Sequence, residues 1–124
     1  MASLAAYAGG AVALFWGIAH IVPVRSIVRS FEPLTVENRR ILTMEWVAEG
    51  LALAFLGLLI LAVTAAGGRA QPSSRLALGL SAGALVVMAV WTRLTGARTS
   101  IAPIRICPYI KTAAAALVAA GLFL

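Results

Sequence analysis

The sequence predicts an all-α integral membrane protein, an up-down bundle of four transmembrane helices that fills residues 1–124 as a single domain. Three observations predict it. The chain is 62% hydrophobic and only 11% charged, with a mean hydropathy of +1.00. A water-soluble chain of this size is usually less than half apolar, and its one small core could not hide such a surplus. The apolar residues fall in four runs, at about residues 2–24, 41–66, 76–94 and 101–124. Each run is close to the ~20 residues a helix needs to cross a ~30 Å hydrocarbon layer. None alternates in polarity as a membrane strand would, and lipid requires backbone hydrogen bonds to close within a segment, so helix is the physical default.

The first run carries no charge and one histidine, His20. No Lys or Arg precedes Arg25, and the run exceeds the about 7–15-residue apolar core of a signal peptide, so it is expected to be a true span. Gly9, Ala13, Trp16 and His20 lie along one of its faces. The loop that follows, RSIVRSFEPLTVENRR (25–40), mixes arginines with Ile27, Val28, Phe31 and Leu34. These apolar side chains suit the membrane interface, with the arginines toward lipid phosphates. The plainer reading, an ordinary basic topology loop, is preferred to a specific lipid site.

The second run opens with MEWVAEG, which places Glu45 and Glu49 one helical turn apart on a face that continues through Ala52, Leu56 and Leu59. That face is expected to point into the bundle. GGRAQPSSR (67–75) reads as a turn, with Ser73 or Ser74 placed to cap the third helix. The third run contains Gly79-x-x-x-Gly83, a spacing that lets two membrane helices approach closely, and tight packing inside the bundle is expected there. Arg93 closes the run, where a cation suits a helix C-terminus. TGARTS (95–100) supplies Gly96 to end the third helix and Ser100 to cap the fourth. The fourth run carries Arg105, Cys107, Pro108 and Lys111, with Thr112, Ala116 and Ala120 as a small-residue stripe. Pro108 frees the carbonyl of Ile104 and is expected to bend the helix beside Cys107 and Lys111.

The basic residues set an orientation. Eight of the ten lie in the loop after the first span and its flanks (Arg25, Arg29, Arg39, Arg40) or around the link between the third and fourth (Arg93, Arg98, Arg105, Lys111). The other link holds only Arg69 and Arg75. The positive-inside rule places the two rich regions in the cytoplasm and both termini on the non-cytoplasmic side, in a plasma membrane of the bacterial inner-membrane type. The same clustering explains the net charge of +6 without nucleic acid.

With that orientation, the polar residues of all four spans share one layer in the cytoplasmic half: His20, Glu45, Glu49, Arg93, Cys107 and Lys111. A mid-membrane acid costs roughly 2.5–3.5 kcal/mol on insertion scales, so Glu49 needs a partner or a function. No base lies at i±3 or i±4 from either glutamate, so pairing must run between helices, and Glu49 is expected to meet Arg93 or Lys111. Glu45 is expected nearer the headgroups, and Arg105 is expected to reach back to them. Cys107 reads as a small buried hydrophobe, since a lone cysteine forms no intrachain disulfide and no CxxC motif exists. Trp16, Trp46 and Trp91 read as interface anchors, with Trp46 also a neighbour of the acidic pair.

No HExxH, GxSxG, P-loop or GxGxxG motif occurs. One histidine and two glutamates could in principle ligate a metal, but with a single histidine per chain no metal site is expected, and the sequence assigns no cofactor. Haem would require an axial ligand from a second chain. Three functional readings follow from the polar layer. The first is a structural or accessory membrane subunit, alone, as a homo-oligomer or in a larger membrane complex, whose ion pairs fix helix register. The second is a proton-coupled small-molecule carrier using Glu49. The third is an intramembrane enzyme or a binder of lipid, quinone or pigment.

Overall fold

The computed structural model describes residues 2–124. Among these there is no strand, and 85% of the chain is helical. The helices are α1 (Ala2–Ile21), α2 (Val24–Arg29), α3 (Val36–Ala65), α4 (Pro72–Thr95) and α5 (Ala102–Phe123), with a 3₁₀ turn at Gly68–Ala70. Four of them, all but α2, are long and apolar enough to cross a membrane. They run up and down, so both termini lie at one end. The loops 22–35 and 96–101 lie at the other, called here the basic end.

The boundaries follow local chemistry. Pro23 stands two residues past the end of α1, and α2 is a separate short helix in the first loop. Its Ile27 and Val28 are buried, and the helix lies against α3, so the loop's apolar residues pack on protein. Helix α3 begins at Val36, five residues before the apolar run at 41. Thr35 caps it, its Oγ1 accepting from the backbone N–H of Asn38 at 3.1 Å, and Glu37 lies in the first turn. The polar start of α3 therefore projects beyond the apolar segment. The serine caps expected for the later helices are not used. Gln71 and Ile101 hold the cap positions without side-chain bonds, and a proline in the first turn starts each helix instead. Ser74 is buried inside α4. Gly96 does end α4, its N–H bonding to the carbonyl of Thr92.

Helix α1 packs against both α3 and α5, and α4 packs against α5. Helices α3 and α4 touch far less, so the bundle is open along that seam. The core is Ala13, Leu53, Ile60, Leu78, Leu85, Ala114, Ala115 and Val118. The closest approach is between α1 and α3. A Cβ on Gly57 would lie 2.4 Å from the backbone nitrogen of Leu14, and one on Gly17 would lie 2.5 Å from that of Ala54. Gly10 and Gly50 face the same seam, so glycines two turns apart on each helix bring two backbones into contact. Gly9 does the same toward Val118 of α5.

The expected Gly79–Gly83 contact is not made. A Cβ on either residue would meet nothing within 4 Å. Helix α4 leans on its neighbours through Leu78, Ser81, Leu85 and Ala89, and the glycines lie off that stripe, facing outward. Likewise, the buried stripe of α3 is Trp46, Gly50, Leu53, Gly57, Ile60 and Thr64. The acidic face lies beside it rather than on it, which turns Glu45 and Glu49 toward the α3–α4 seam.

Candidate functional site: a polar cluster shared by four helices

Near the basic end the four long helices each contribute a polar side chain to one cluster. Lys111 of α5 is the centre. Among the described residues it is the largest side chain that is fully buried, at 1% exposure. A buried ammonium requires a counter-charge and acceptors for its three hydrogens. Glu49 of α3 supplies the charge through Oε1, and Thr92 of α4 accepts a hydrogen bond at 2.7 Å. The Thr92 hydroxyl donates in turn to the carbonyl of Met88 at 2.8 Å, which fixes its lone pairs toward the lysine.

Behind this pair lies His20 of α1, 3% exposed. Its Nδ1 is 3.1 Å from the carbonyl oxygen of Trp16. A carbonyl only accepts, so Nδ1 carries a proton, and in the neutral ring the lone pair is on Nε2. Nε2 faces Sγ of Cys107 at 3.6 Å and Oε2 of Glu49 at 3.9 Å. Two tryptophans hold the ring. Trp46 stacks on it with centroids 5.1 Å apart, and Trp16 meets it edge-on at 5.5 Å. The Trp46 indole N–H donates to the carbonyl of His20 at 2.6 Å, and the Trp16 indole N–H donates to Sγ of Cys107 at 3.2 Å.

The cluster opens sideways. A cleft of about 440 Å³ follows the α3–α4 seam, lined by Glu45, Trp46, Glu49, Trp91, Thr92 and Lys111 among others. Ile104, whose carbonyl Pro108 leaves without its usual helical donor, also borders it. Among the described residues Glu45 takes part in no ion pair, so the cleft carries one carboxylate in excess of its single lysine.

The residues singled out in the sequence therefore separate. His20, Glu49, Cys107, Lys111 and Trp46 come together, and Glu45 stands at the mouth of the cleft. Arg93 does not join them. It faces outward beside Arg105 and Tyr109, bordering a different cavity on the far side of α4 and α5. Trp46 is not an interface anchor, being 8% exposed and stacked on the histidine, and Trp16 is half-buried against the thiol. Only Trp91, 69% exposed, keeps the outward position expected of an anchor. Cys107 is buried as expected, but its sulfur touches polar groups from three other residues: Trp16, His20 and Glu49. Thr92 was not foreseen, because a threonine near a helix end bonded back to its own helix leaves no mark in sequence.

Compared with protein-family models, with curated proteins and with solved structures, the chain matches none.

Proposed function

We propose that the chain is a small membrane protein that binds an amphiphile with a cationic or hydrogen-bond-donating head group in the α3–α4 cleft. The observation that carries this reading is the unpaired carboxylate of Glu45, outward-facing at a cleft that also holds the neutralised Glu49 and two tryptophans. A cation entering there gains a counter-charge and indole faces, each indole worth about 0.5–2 kcal/mol. An open seam between two helices gives an apolar tail a direct path from lipid. The arginine distribution supports a cytoplasmic position for the cleft, and a tag on either terminus should then be accessible only from outside the cell.

The proton-coupled carrier is less well supported. Toward the termini the interior is Leu53, Ile60, Leu78, Leu85 and Val118 beside the glycine seam. The buried polar side chains there are the hydroxyls Thr64, Ser74 and Ser81, of which Thr64 and Ser81 donate to their own helices. Among the described residues no buried ionisable side chain leads on from Glu49 toward the termini. The accessory-subunit reading draws on one observation of its own, the outward face of α4 at Gly79 and Gly83, which is shaped to admit a second helix.

Indole fluorescence of the purified protein in neutral detergent tests the cleft. Titration with a dodecyl-trimethylammonium probe should saturate, and Glu45→Gln should weaken binding about tenfold, the loss of one favourable charge contact. Equal binding of the matching alkyl sulfate, or no effect of Glu45→Gln, would remove the reading.

A further inference from the structure

We infer that His20, Cys107 and Glu49 form a binding site for a thiophilic divalent metal ion of the zinc type. The inference goes beyond the cleft reading and stands even if the cleft binds no amphiphile. The three residues come from α1, α5 and α3, and one ligand atom from each lies within 4.8 Å of the others. A tetrahedral zinc ion with bonds of about 2.0–2.3 Å sets its ligand atoms about 3.3–3.6 Å apart. The observed separations are 3.6 Å from Nε2 to Sγ, 3.9 Å from Nε2 to Oε2 and 3.9 Å from Sγ to Oε1. The two 3.9 Å separations reach different oxygens of the Glu49 carboxylate, and with one atom per residue the set spans up to 4.8 Å, so closure around an ion takes a turn of that carboxylate and side-chain movement of about 1 Å.

The surroundings are those of a ligand set rather than of a core. The Nε2 lone pair of a deeply buried histidine meets no ordinary donor, only a thiol at long range. Its other nitrogen is held by a backbone carbonyl, the arrangement that fixes the ligating tautomer of metal-bound histidines. The Trp16 N–H aimed at Sγ would support a thiolate. Glu49 has two oxygens for two tasks, Oε1 toward Lys111 and Oε2 toward His20.

Charge balance also fits. A thiolate and a carboxylate against one ammonium leave a single negative charge, so a divalent ion with a hydroxide or other anion in its fourth position gives a neutral cluster. Neutrality is what a low-dielectric interior favours. Three protein ligands leave that fourth position open.

The test uses Co²⁺ as a visible substitute for zinc. The purified, metal-stripped full chain in detergent is titrated with Co²⁺. The expected result is a single ion per chain with intense tetrahedral d–d bands and a thiolate-to-cobalt charge-transfer band, both erased by Zn²⁺. Cys107→Ala should abolish the charge-transfer band. His20→Gln should weaken affinity at least about tenfold, as loss of a ligand or its support does. Trp16→Phe, which keeps all three ligands, should retain the bands at reduced affinity and guards against misfolding of the ligand variants. Weak octahedral bands in the wild type, or a spectrum unchanged in folded Cys107→Ala, would overturn the site.

Discussion

The two ends of this bundle are built from the same four helices and are held together by different forces. Toward the termini, α1 and α3 meet backbone to backbone through Gly10 and Gly57, and aliphatic side chains fill the rest, while the same seam runs on through Gly17 and Gly50 to His20 beside the polar cluster. Toward the basic end, α3 and α4 stand apart, and what joins α3, α4 and α5 is a lysine tied to a glutamate and a threonine. Lipid offers no hydrophobic driving force between helices, so cohesion comes from close van der Waals packing or from polar contacts. The molecule uses the first where nothing needs to enter and the second where a cleft is left open. The packed end tolerates no added atom. The polar end tolerates space but not the loss of a partner.

The largest effect should come from unbalancing the polar end. Lys111→Met or Glu49→Ala strands one charge inside the bundle and should cost about 3–5 kcal/mol in detergent unfolding, whereas the double variant should recover most of that loss. A double variant as weak as either single one would deny the pair its structural part. At the packed end, Gly57→Val must push apart two backbones and should cost about 1–3 kcal/mol or more. Gly83→Val, on the outward face of α4, should change stability by less than about 0.5 kcal/mol when the chain is a monomer. A large Gly83 effect would instead reveal a helix packed on that face. Trp46→Phe removes the hydrogen bond to the His20 carbonyl but keeps most of the stacked ring, and should cost about 1 kcal/mol. Arg93→Gln should be nearly silent in both stability and probe binding, since the side chain faces away from the cluster.

Depth was legible in the sequence and azimuth was not. The apolar runs set four helices and their approximate ends, and a charge in such a run gives its own depth by residue count. That is why His20, Glu49, Cys107 and Lys111 could be placed in one layer. Which of Arg93 and Lys111 would meet Glu49 depended on rotation about the helix axis. Thr92 occupies the inward position on α4, and Arg93, one residue on, is turned by roughly 100° away from it. The glycines illustrate the same limit. Gly79-x-x-x-Gly83 is visible within one helix and points outward. The seam that closes the bundle is divided between α1 and α3, and its spacing becomes meaningful only when those two helices are known to be neighbours. Starting the second helix at the apolar residues also hid five residues of α3, because a capped polar turn can extend a membrane helix beyond the bilayer.

The position of Lys111 along the chain has a consequence for biogenesis. Translation delivers Glu49 in the second span and its cation only in the last. Until α5 is inserted, the glutamate is without its cation, and the α1–α3 hairpin can close on its glycines without it. Helix α5 then completes the polar cluster, carrying the charge that makes the earlier acid tolerable. Ribosome-stalled chains ending before Ala102 should therefore insert but stay accessible to quality-control proteases, and protection should arrive with α5.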